Sequence, residues 1–494
     1  MSAAEMGQGE ASIELEQRPA AARLSVRVKL FQALGALPDT FKTFAFNTFL
    51  LLFYSQVLNL PASLASAALM ISVVLDAITD PLVGSFSDRL RTPLGRRHPL
   101  MYAAVLPLGG TLILLFSPPA DLSQWALFGW LLFFSSASRV AMTFFLVPWS
   151  ALFAELSDDY YERSSIITYR YVVGALGGVA FVWCCWSFIF PASELYEKGQ
   201  LNPDAYSSFA LVLALAVSLT ALIATQLTVS QIPRLRQSTA TRPFSFLVAL
   251  QDIRLAMQNR DFLVLFVGLL LASVLTGIIA AFEIYFHTYF WGFSAEDLRW
   301  LAIGGIGALI GAALVGPMQK WLDKKDLLLG SMIFSLADGL TIISLRLLDI
   351  LPANGDPLLL QILVANEVFR MASLSVTIIM FVSMVADTLD AQELETGLRQ
   401  EGVFSSAIAF SSKAVSGVGV LVVGLLLEHV VMLPTGAVPD AVAPDVVFRL
   451  GVFGGLLIPA LYLIPFYLAT KYRITRKRHA EIQAALRARS PISS

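Results

Sequence analysis

Two carboxylates stand inside a stretch of sequence that is apolar enough to lie in a membrane. Asp76 and Asp80 are four residues apart in "VVLDAITDPLVGSF". Four residues is about one turn of a helix, so both side chains leave the same face, with Cβ atoms about 5–6 Å apart. Two like charges this close repel each other and are costly to bury in a medium of low dielectric. They are tolerable if they are neutral, if they pair with a base on another helix, or if they hold a cation.

A cation site is the interpretation that we favour for this pair of acids. Hard cations prefer oxygen ligands, and a Na⁺ ion between the two carboxylates would cancel much of their repulsion. Protonation of one carboxylate would do the same, so the residues by themselves leave Na⁺ and H⁺ open. We therefore predict a site for a Na⁺ or H⁺ ion at Asp76 and Asp80, and we expect no cofactor besides this ion.

The composition of the chain places the two acids in a membrane protein. Of the 494 residues, 56% are hydrophobic and only 14% are charged, whereas soluble domains average about 25% charged residues. Because the apolar excess runs through nearly the whole chain, we expect an integral, multi-pass protein of a cell (inner) membrane. The formal net charge of −2 does not point to nucleic acid, which we do not expect as a partner. The two cysteines, Cys184 and Cys185, are adjacent and make neither a disulfide framework nor a metal site.

The apolar residues are grouped into twelve runs. A run of about 20 such residues crosses a bilayer as a helix. The runs fall near 33–58, 63–88, 99–118, 124–153, 165–192, 206–231, 261–290, 298–320, 326–347, 357–386, 400–431 and 446–470. They predict an all-α polytopic membrane protein with twelve transmembrane helices. The predicted domains are a polar N-terminal tail (1–32), a first six-helix bundle (33–231), a connecting loop (232–260), a second six-helix bundle (261–470) and a basic tail (471–494).

The basic residues predict the orientation of these helices. Connections rich in Lys and Arg stay on the cytoplasmic side of a membrane. Such connections alternate with connections poor in both residues. The basic ones hold Arg89, Arg91, Arg96 and Arg97, then Arg234, Arg236, Arg242, Arg254 and Arg260, then Lys320, Lys324 and Lys325, and finally Lys471, Arg473, Arg476, Lys477 and Arg478. Both termini are therefore predicted to be cytoplasmic. "SDRLR" at Asp88 and "LDKKD" at Asp323 follow helices two and eight, as a parallel repeat of two bundles would produce.

Three long segments make the sequence recognisable. They are "DAITDPLVGSFSDRLRTPLGRRHP", "VPWSALFAELSDDYYERSSIITYR" and "ADTLDAQELETGLRQEGVFSSAIAFSSK", which begin at Asp76, Val147 and Ala386. In this order, and at these helix positions, they resemble the signatures of the glycoside–pentoside–hexuronide:cation symporters, the melibiose permease family of the major facilitator superfamily. The resemblance covers the chain from about residue 30 onward and implies the major facilitator fold.

The resemblance implies a set of cation-binding residues. Asp76 and Asp80 fall where the family has its cation-binding carboxylates, Thr143 falls at a hydroxyl ligand, and Thr79 falls at another polar position of the site. Lys413 matches a lysine of the family that neutralises the acids when the cation is absent. The residues agree with this role, because a lysine in the middle of a membrane needs a carboxylate partner.

The solute positions match the family less well. Melibiose permease holds its sugar with an acid on helix one and another on helix four, and these positions fall here at Thr40, beside Asp39, and at Leu146. The position of its sugar-stacking tryptophan is Ser150, next to Trp149, while Arg170 is retained. The candidate solute-binding residues are therefore Asp39, Thr40, Trp149, Arg170 and Lys413.

Other polar residues in the apolar runs have simpler interpretations. Glu367 and Arg370 are expected to pair with each other, and Glu283, Tyr285 and His287 suit either an interface or solute contact.

The charges at the predicted cytoplasmic ends are topogenic in the simplest interpretation. The superfamily resemblance favours a second role, as a gate of ion pairs that forms in one conformation. Its candidate members are Asp88, Arg96, Arg97, Glu155, Asp158, Arg163, Asp387, Asp390 and Arg399. A network that exists in one state only would bias the equilibrium between conformations by a few kcal/mol.

Together these patterns predict a secondary active transporter that moves a small solute with inward Na⁺ or H⁺ by alternating access. The expected solute is a sugar or glycoside, and the alternative is an amphiphile such as a lysolipid. The expected partners are the solute, the cation and the bilayer, with the protein as a monomer. An enzyme would need a catalytic cluster, and the four histidines and two adjacent cysteines form no metal-spaced motif. A passive channel would not require two halves with gating charges on one face.

Overall fold

The computed structural model describes residues 24–156, 160–234, 260–396, 413 and 415–489. Within these ranges, the regular elements are helices joined by short connections. In chain order they are α1 (26–57), α2 (Ala62–Arg89), α3 (His98–Phe116), α4 (Gln124–Leu156), α5 (160–189), α6 (Pro203–Thr228), α7 (Arg260–Phe290), α8 (Ala295–Gln319), α9 (Lys324–Leu347), α10 (Pro357–Thr396), α11 (Val415–Val431), α12 (Pro444–Thr470) and α13 (Arg476–Arg489).

The apolar helices establish a multi-pass membrane protein. Ten helices of the described ranges, α2–α10 and α12, are long and apolar enough to cross a bilayer, and α11 is a shorter apolar helix. Large apolar side chains on the outer surface, such as Leu106 (84% exposed) and Phe133 (64% exposed), are suited to lipid. Each of the twelve predicted runs contains a described helix, while the number of spans and the side on which the termini lie stay predictions.

Capping residues explain where several helices begin. Asn202 precedes α6 and accepts a hydrogen bond from the backbone N–H of Asp204 (3.1 Å). Ser294 and Asp297 form a capping box at the start of α8. Asp323 precedes α9, and its carboxylate accepts from the next backbone N–H (2.7 Å). Each cap satisfies a donor that the first helical turn leaves free. The caps therefore fix the residues at which α6, α8 and α9 begin.

A local feature recurs at equivalent positions of helices α1–α6 and α7–α12, which we call the first half and the second half. We call the end of the bundle at which α1 begins and α12 finishes the terminal end, and the opposite end the far end. Four helices, α1, α5, α7 and α11, finish at the far end in short π-helical turns. Because α7 and α11 follow α1 and α5 by six helices, the recurrence favours the predicted parallel repeat.

The packing of the helices also recurs between the halves. In the first half α4 packs against α2 and α3, and α3 packs against α6; in the second half α10 packs against α8 and α9, and α9 packs against α12. Helix α1 begins at Val26, inside the predicted N-terminal tail, and α13 lies in the predicted basic tail and packs against α10, while the domain bounds themselves stay predictions. Most of the predicted connecting loop (235–259) lies outside the described residues.

At the far end the two halves are joined by hydrogen bonds. The hydroxyls of Ser55 and Tyr285 are 2.6 Å apart, and the Tyr289 hydroxyl donates to Gln56 Oε1 (3.2 Å). The Gln56 oxygen also accepts from the backbone N–H of Ala437 (3.1 Å). Further bonds between the halves join Ser63 to Glu428, Lys198 to Gly292, and Gln200 to Phe293. These bonds hold the first and second halves together at this end.

Candidate cation and solute site

The two acids of α2 converge on one hydroxyl and one ammonium group. Thr143, on α4, has its Oγ1 3.0 Å from Asp76 Oδ1 and 2.8 Å from Asp80 Oδ1. Lys413 Nζ donates to Asp76 Oδ2 (3.2 Å) and Asp80 Oδ2 (2.5 Å). The structure thus brings four of the five predicted cation-site residues together, and both carboxylates point from one face, as the spacing predicted.

Lys413 explains how two neighbouring carboxylates are tolerated inside the protein. Its ammonium bridges them and comes from the opposite half of the molecule. The exposed fraction of the side chain rises from 6% for Asp76 to 24% for Asp80 and 41% for Lys413. The pair is therefore buried on one side and reached by solvent from the other, the arrangement that a site exchanging ions needs.

Two glycines of α11 let this helix lie close to α2. A Cβ atom at Gly417, one turn after Lys413, would be 3.0 Å from Val73 Cβ. A Cβ atom at Gly424 would be 2.4 Å from the Ala62 carbonyl oxygen, closer than such atoms come. Because glycine has no side chain, α11 can approach α2 closely enough at both positions for Lys413 to reach both acids.

Thr79 does not reach the carboxylates. Its Oγ1 donates to the backbone carbonyl of Asp76 (3.0 Å), as Ser and Thr side chains inside helices commonly do. In this structure the hydroxyl that completes the site therefore comes from α4 and not from α2.

Two further cations lie beside the acids, and the sequence analysis did not single them out. Lys42 on α1 is buried, with 8% of its side chain exposed, and its Nζ is 3.7 Å from Asp39 Oδ1. Arg139 on α4 donates from Nε to Ser72 Oγ (3.2 Å). Lys42 Nζ lies 5.5 Å and Arg139 Cζ 4.9 Å from the centre of the Phe46 ring. Both residues fall inside predicted apolar runs, where charge is rare and commonly functional; that signal alone would have found them.

Four of the predicted solute residues divide into two groups, Asp39 and Thr40 on α1, and Trp149 and Arg170 on α4 and α5. Asp39 faces open space, with 39% of its side chain exposed. Thr40 donates to its own helix, to the carbonyl of Ala36 (2.9 Å). Trp149 is 6% exposed and its Nε1 donates to the Gln32 carbonyl (2.9 Å). The guanidinium of Arg170 lies 3.8 Å from the Trp149 ring centre. Trp149 and Arg170 therefore join α1, α4 and α5 here, and neither presents its ring or charge as a solute platform.

A cavity between the halves, which the predicted solute residues do not line, contains polar side chains. Its volume is about 260 Å³, and α1, α5, α7, α8 and α10 line it with apolar side chains, Trp186 and four polar groups, Thr48, Glu283, His287 and Glu367. Arg370 donates to Glu367 (2.6 Å) and to Glu283 (2.7 Å), which confirms the expected pairing on α10. Glu283 and His287 thus border this cavity. A larger cleft of about 570 Å³ lies among the far-end loops, away from the acids.

The candidate gate residues form separate clusters, one in each half. In the first half, Arg97 NH2 is 2.6 Å from Asp88 and 2.9 Å from Glu155, which also pairs with Arg96 (2.9 Å). In the second half, Lys324 pairs with Asp387 (2.7 Å), and Nε2 of His479 on α13 lies 3.1 Å from the Asp390 carboxylate, which accepts. The ion pairs described at the terminal end thus stay within each half. Asp158, Arg399 and the side chain of Arg163 lie outside the described residues.

Comparison with known proteins places this geometry in a family. The pattern of the family described as MFS/sugar transport protein matches residues 31–476. The putative glycoside/cation symporter YagG of Escherichia coli is 23% identical over 78% of this chain and 79% of its own. The sodium-dependent lysophosphatidylcholine symporter 1 of Xenopus tropicalis is 27% identical over 60% of each chain. The xylose transporter XylE from E. coli has a similar fold, with a TM-score of 0.58 over 91% of this chain and 98% of XylE, at 15% identity. The chain is a multi-pass membrane transporter, not an enzyme, and it belongs to the MFS/sugar transport protein family.

Proposed function

We propose that the protein is a symporter that couples a small solute to Na⁺ or H⁺, with the ion held by Asp76, Asp80 and Thr143. One observation carries this proposal. Lys413, from the second half, bridges two carboxylates of the first half. An ammonium group in this position occupies the place in which a cation would be bound, so the two compete.

This competition links the ion to the conformation of the carrier. While Lys413 holds both acids, it also joins α11 to α2 across the two halves. A cation bound by the acids releases Lys413 and removes that contact, so binding of the ion changes the relative stability of the conformations. Rocking of the two bundles then exposes the site to each side in turn. An ion that moves down 100 mV releases about 2.3 kcal/mol, enough to sustain about a fiftyfold solute gradient.

We infer that the solute is a sugar or glycoside that enters the cavity lined by Glu283, His287, Glu367 and Trp186. The description of the family and the name of the E. coli relative support this class, and carboxylates beside an aromatic ring suit hydroxyl groups and a sugar face. The Xenopus relative supports the alternative, an amphiphile such as a lysolipid. The proposed architecture is two six-helix bundles with twelve spans and both termini cytoplasmic, in the inner membrane.

Purified protein in proteoliposomes tests the proposed coupling directly. Uptake of labelled glycosides and of labelled lysophosphatidylcholine is compared under an inward Na⁺ gradient, an inward proton gradient and no gradient. We expect accumulation of one solute class under one of the two gradients. Equal uptake with and without gradients for every solute would contradict symport.

Melibiose is expected to bind weakly or not at all. The positions that match the sugar-binding acids of melibiose permease are Thr40, whose hydroxyl is bonded to its own helix, and Leu146, which packs against the apolar core. Neither supplies the carboxylate that binds sugar hydroxyls. Titration of the purified protein with melibiose measures this, with a Thr40→Asp/Leu146→Asp variant as the matched gain-of-function comparison. Wild-type affinity similar to that of a galactoside carrier would show that these positions do not face the solute.

Contacts at the two ends are expected to bias the conformation in opposite directions. Gln56→Ala removes two hydrogen bonds between the halves at the far end, each worth about 0.5–1.5 kcal/mol, and should populate far-end-open forms about tenfold more. The proposed gate closes the terminal end by pairing charges across the halves in the other conformation. Asp387→Asn, whose partner here is Lys324 of the same half, removes one of those charges and should populate terminal-end-open forms.

A reporter cysteine in the cavity measures both shifts. Thr48 lines the cavity, so Thr48→Cys in a background without Cys184 and Cys185 is labelled by an impermeant thiol reagent in right-side-out and inside-out vesicles. We expect Gln56→Ala to raise labelling from the far end and Asp387→Asn from the terminal end. Unchanged labelling in both variants, with normal insertion, would reduce these residues to packing and solvated charge.

A further inference from the structure

We propose that Lys42 and Arg139 form an anion subsite beside the cation site, and that the transported solute carries an anionic group which binds there. This inference rests on the proposed function and specifies the charge of its solute. The juxtaposition that carries it is two cationic side chains, on α1 and α4, that both lie against the ring of Phe46, with Arg139 bonded to Ser72, one turn before Asp76 on α2.

The two cations have donors to spare. In the part of the chain that the structure describes, the Arg139 side chain makes one hydrogen bond, to Ser72, and has no carboxylate within ion-pair distance. A guanidinium carries five N–H donors and an ammonium three. Lys42 has one ion-pair contact among the described residues, Asp39 at 3.7 Å, which is beyond hydrogen-bond length. An anion with two or three oxygens would satisfy donors from both side chains.

Asp39 shows how an anion would reach this position. Its carboxylate is the most exposed of the three acids in the region, with 39% of the side chain accessible, while it lies against buried Lys42. Lys413 occupies the position of a bound cation between Asp76 and Asp80, and the Asp39 carboxylate occupies the position of a bound anion beside Lys42. A bound cation would displace Lys413, and an anionic group of the solute would displace Asp39.

The balance of charge explains why an anion would follow the cation. Three cations, Lys42, Arg139 and Lys413, lie here with three carboxylates, since Lys413 pairs with Asp76 and Asp80 and Lys42 with Asp39. A bound Na⁺, or a proton on one carboxylate, leaves this region with one positive charge in excess. Unbalanced charge within a membrane is costly, and an anionic group on the solute removes the excess. By linkage, the solute must then raise the affinity for the cation by the factor by which the cation raises the affinity for the solute.

The first test needs no solute. Lys42 and Arg139 repel a cation at Asp76, so Arg139→Gln and Lys42→Gln should each raise the apparent Na⁺ affinity of the purified full-length protein by about tenfold, the order expected when one neighbouring charge is removed at an effective dielectric constant of about 20. Arg449→Gln, which removes an arginine at the far end, is the matched control and should change nothing. A merely structural role would lower the affinity or leave it unchanged, and either result overturns the proposal.

The second test uses solutes that differ only in charge. Na⁺ titrations, followed by intrinsic tryptophan fluorescence, are repeated with glucose against glucuronate, and with lysophosphatidylcholine against lysophosphatidylglycerol. We expect the anionic member of one pair to raise the Na⁺ affinity at least fivefold, its partner to have little effect, and Arg139→Gln to abolish the gain. An equal effect of the uncharged or zwitterionic partner, no effect of either anion, or a gain that survives in Arg139→Gln would overturn the proposal.

The design separates this inference from the proposed function. If wild type shows no Na⁺ response, the titrations are run with protons from pH 8 to pH 5. A response to neither ion, or one that persists in Asp76→Asn, contradicts the cation site itself. A cation response that depends on Asp76 but is indifferent to solute charge contradicts the anion subsite alone.

Discussion

Asp76→Asn and Asp80→Asn are each expected to abolish cation-coupled accumulation, reducing the steady-state solute ratio across the membrane to about one. Both carboxylates share Thr143 and Lys413, so one amide leaves a single negative charge for the cation. That remaining charge is already neutralised by Lys413, and a cation would have to displace the lysine without gaining a second anionic ligand. The loss should therefore be complete for coupling, while the protein still inserts.

Accumulation of labelled solute in proteoliposomes under a cation gradient measures this effect. Asp204→Asn, in an exposed carboxylate at the start of α6, is the matched control and should accumulate like wild type. Surface expression and detergent elution profiles exclude misfolding as the cause. Wild-type accumulation in both acid variants would remove Asp76 and Asp80 from the coupling mechanism.

Lys413→Ala is expected to abolish net uptake and to spare exchange. Once the cation leaves, Lys413 is the group that neutralises the two acids, and without it the carrier must reorient with two unpaired carboxylates in low dielectric. A loaded carrier does not meet this cost, because the cation neutralises the acids in both directions. Exchange with saturating cation and solute on both sides should therefore continue at a rate near that of wild type, while net uptake falls by at least tenfold.

Parallel uptake and exchange assays on the same proteoliposomes separate these two steps. Lys471→Ala is the control, since this exposed lysine lies at the terminal end over the Tyr467 ring. If net uptake and exchange fall together, Lys413 supports the fold or the binding of solute and not the return step. If both persist, the bridge has no part in transport.

The two acids of the cation site were predictable because their chemistry is local in sequence, whereas Thr143 and the role of Lys413 were implied by the family resemblance. Asp76 and Asp80 share a face by helical spacing alone, and a lysine within an apolar run demands an acid. Thr79 shows the limit of that reasoning. Spacing places its hydroxyl near the acids, but a threonine inside a helix can bond the carbonyl of the preceding turn, and here it does.

The solute side was less predictable, because its residues come from separate helices and have no common spacing. Arg139 and Lys42 lie 97 positions apart in the sequence, and only the packing of α1 against α4 puts them on one phenyl ring. Glu283 had two open interpretations and Glu367 was expected only to pair with Arg370, yet both line one cavity, where Arg370 donates to each of them. Trp149 and Arg170, which alignment by position favours, pack against each other instead.

By itself, the sequence determined that this is an apolar, polytopic helical protein, that two acids share a helical face, and that charged residues gather at one end of the helices. These properties depend on composition and on short-range periodicity, which the chain carries in every conformation. The tertiary structure decided that Thr143 and not Thr79 joins the acids, that Lys413 bridges both of them, and that the described gate charges pair within each half. Those outcomes depend on contacts between residues as far apart as Asp76 and Lys413, which are 337 positions apart. Such contacts are set by how closely helices approach, as Gly417 and Gly424 allow α11 to approach α2, and not by spacing along the chain.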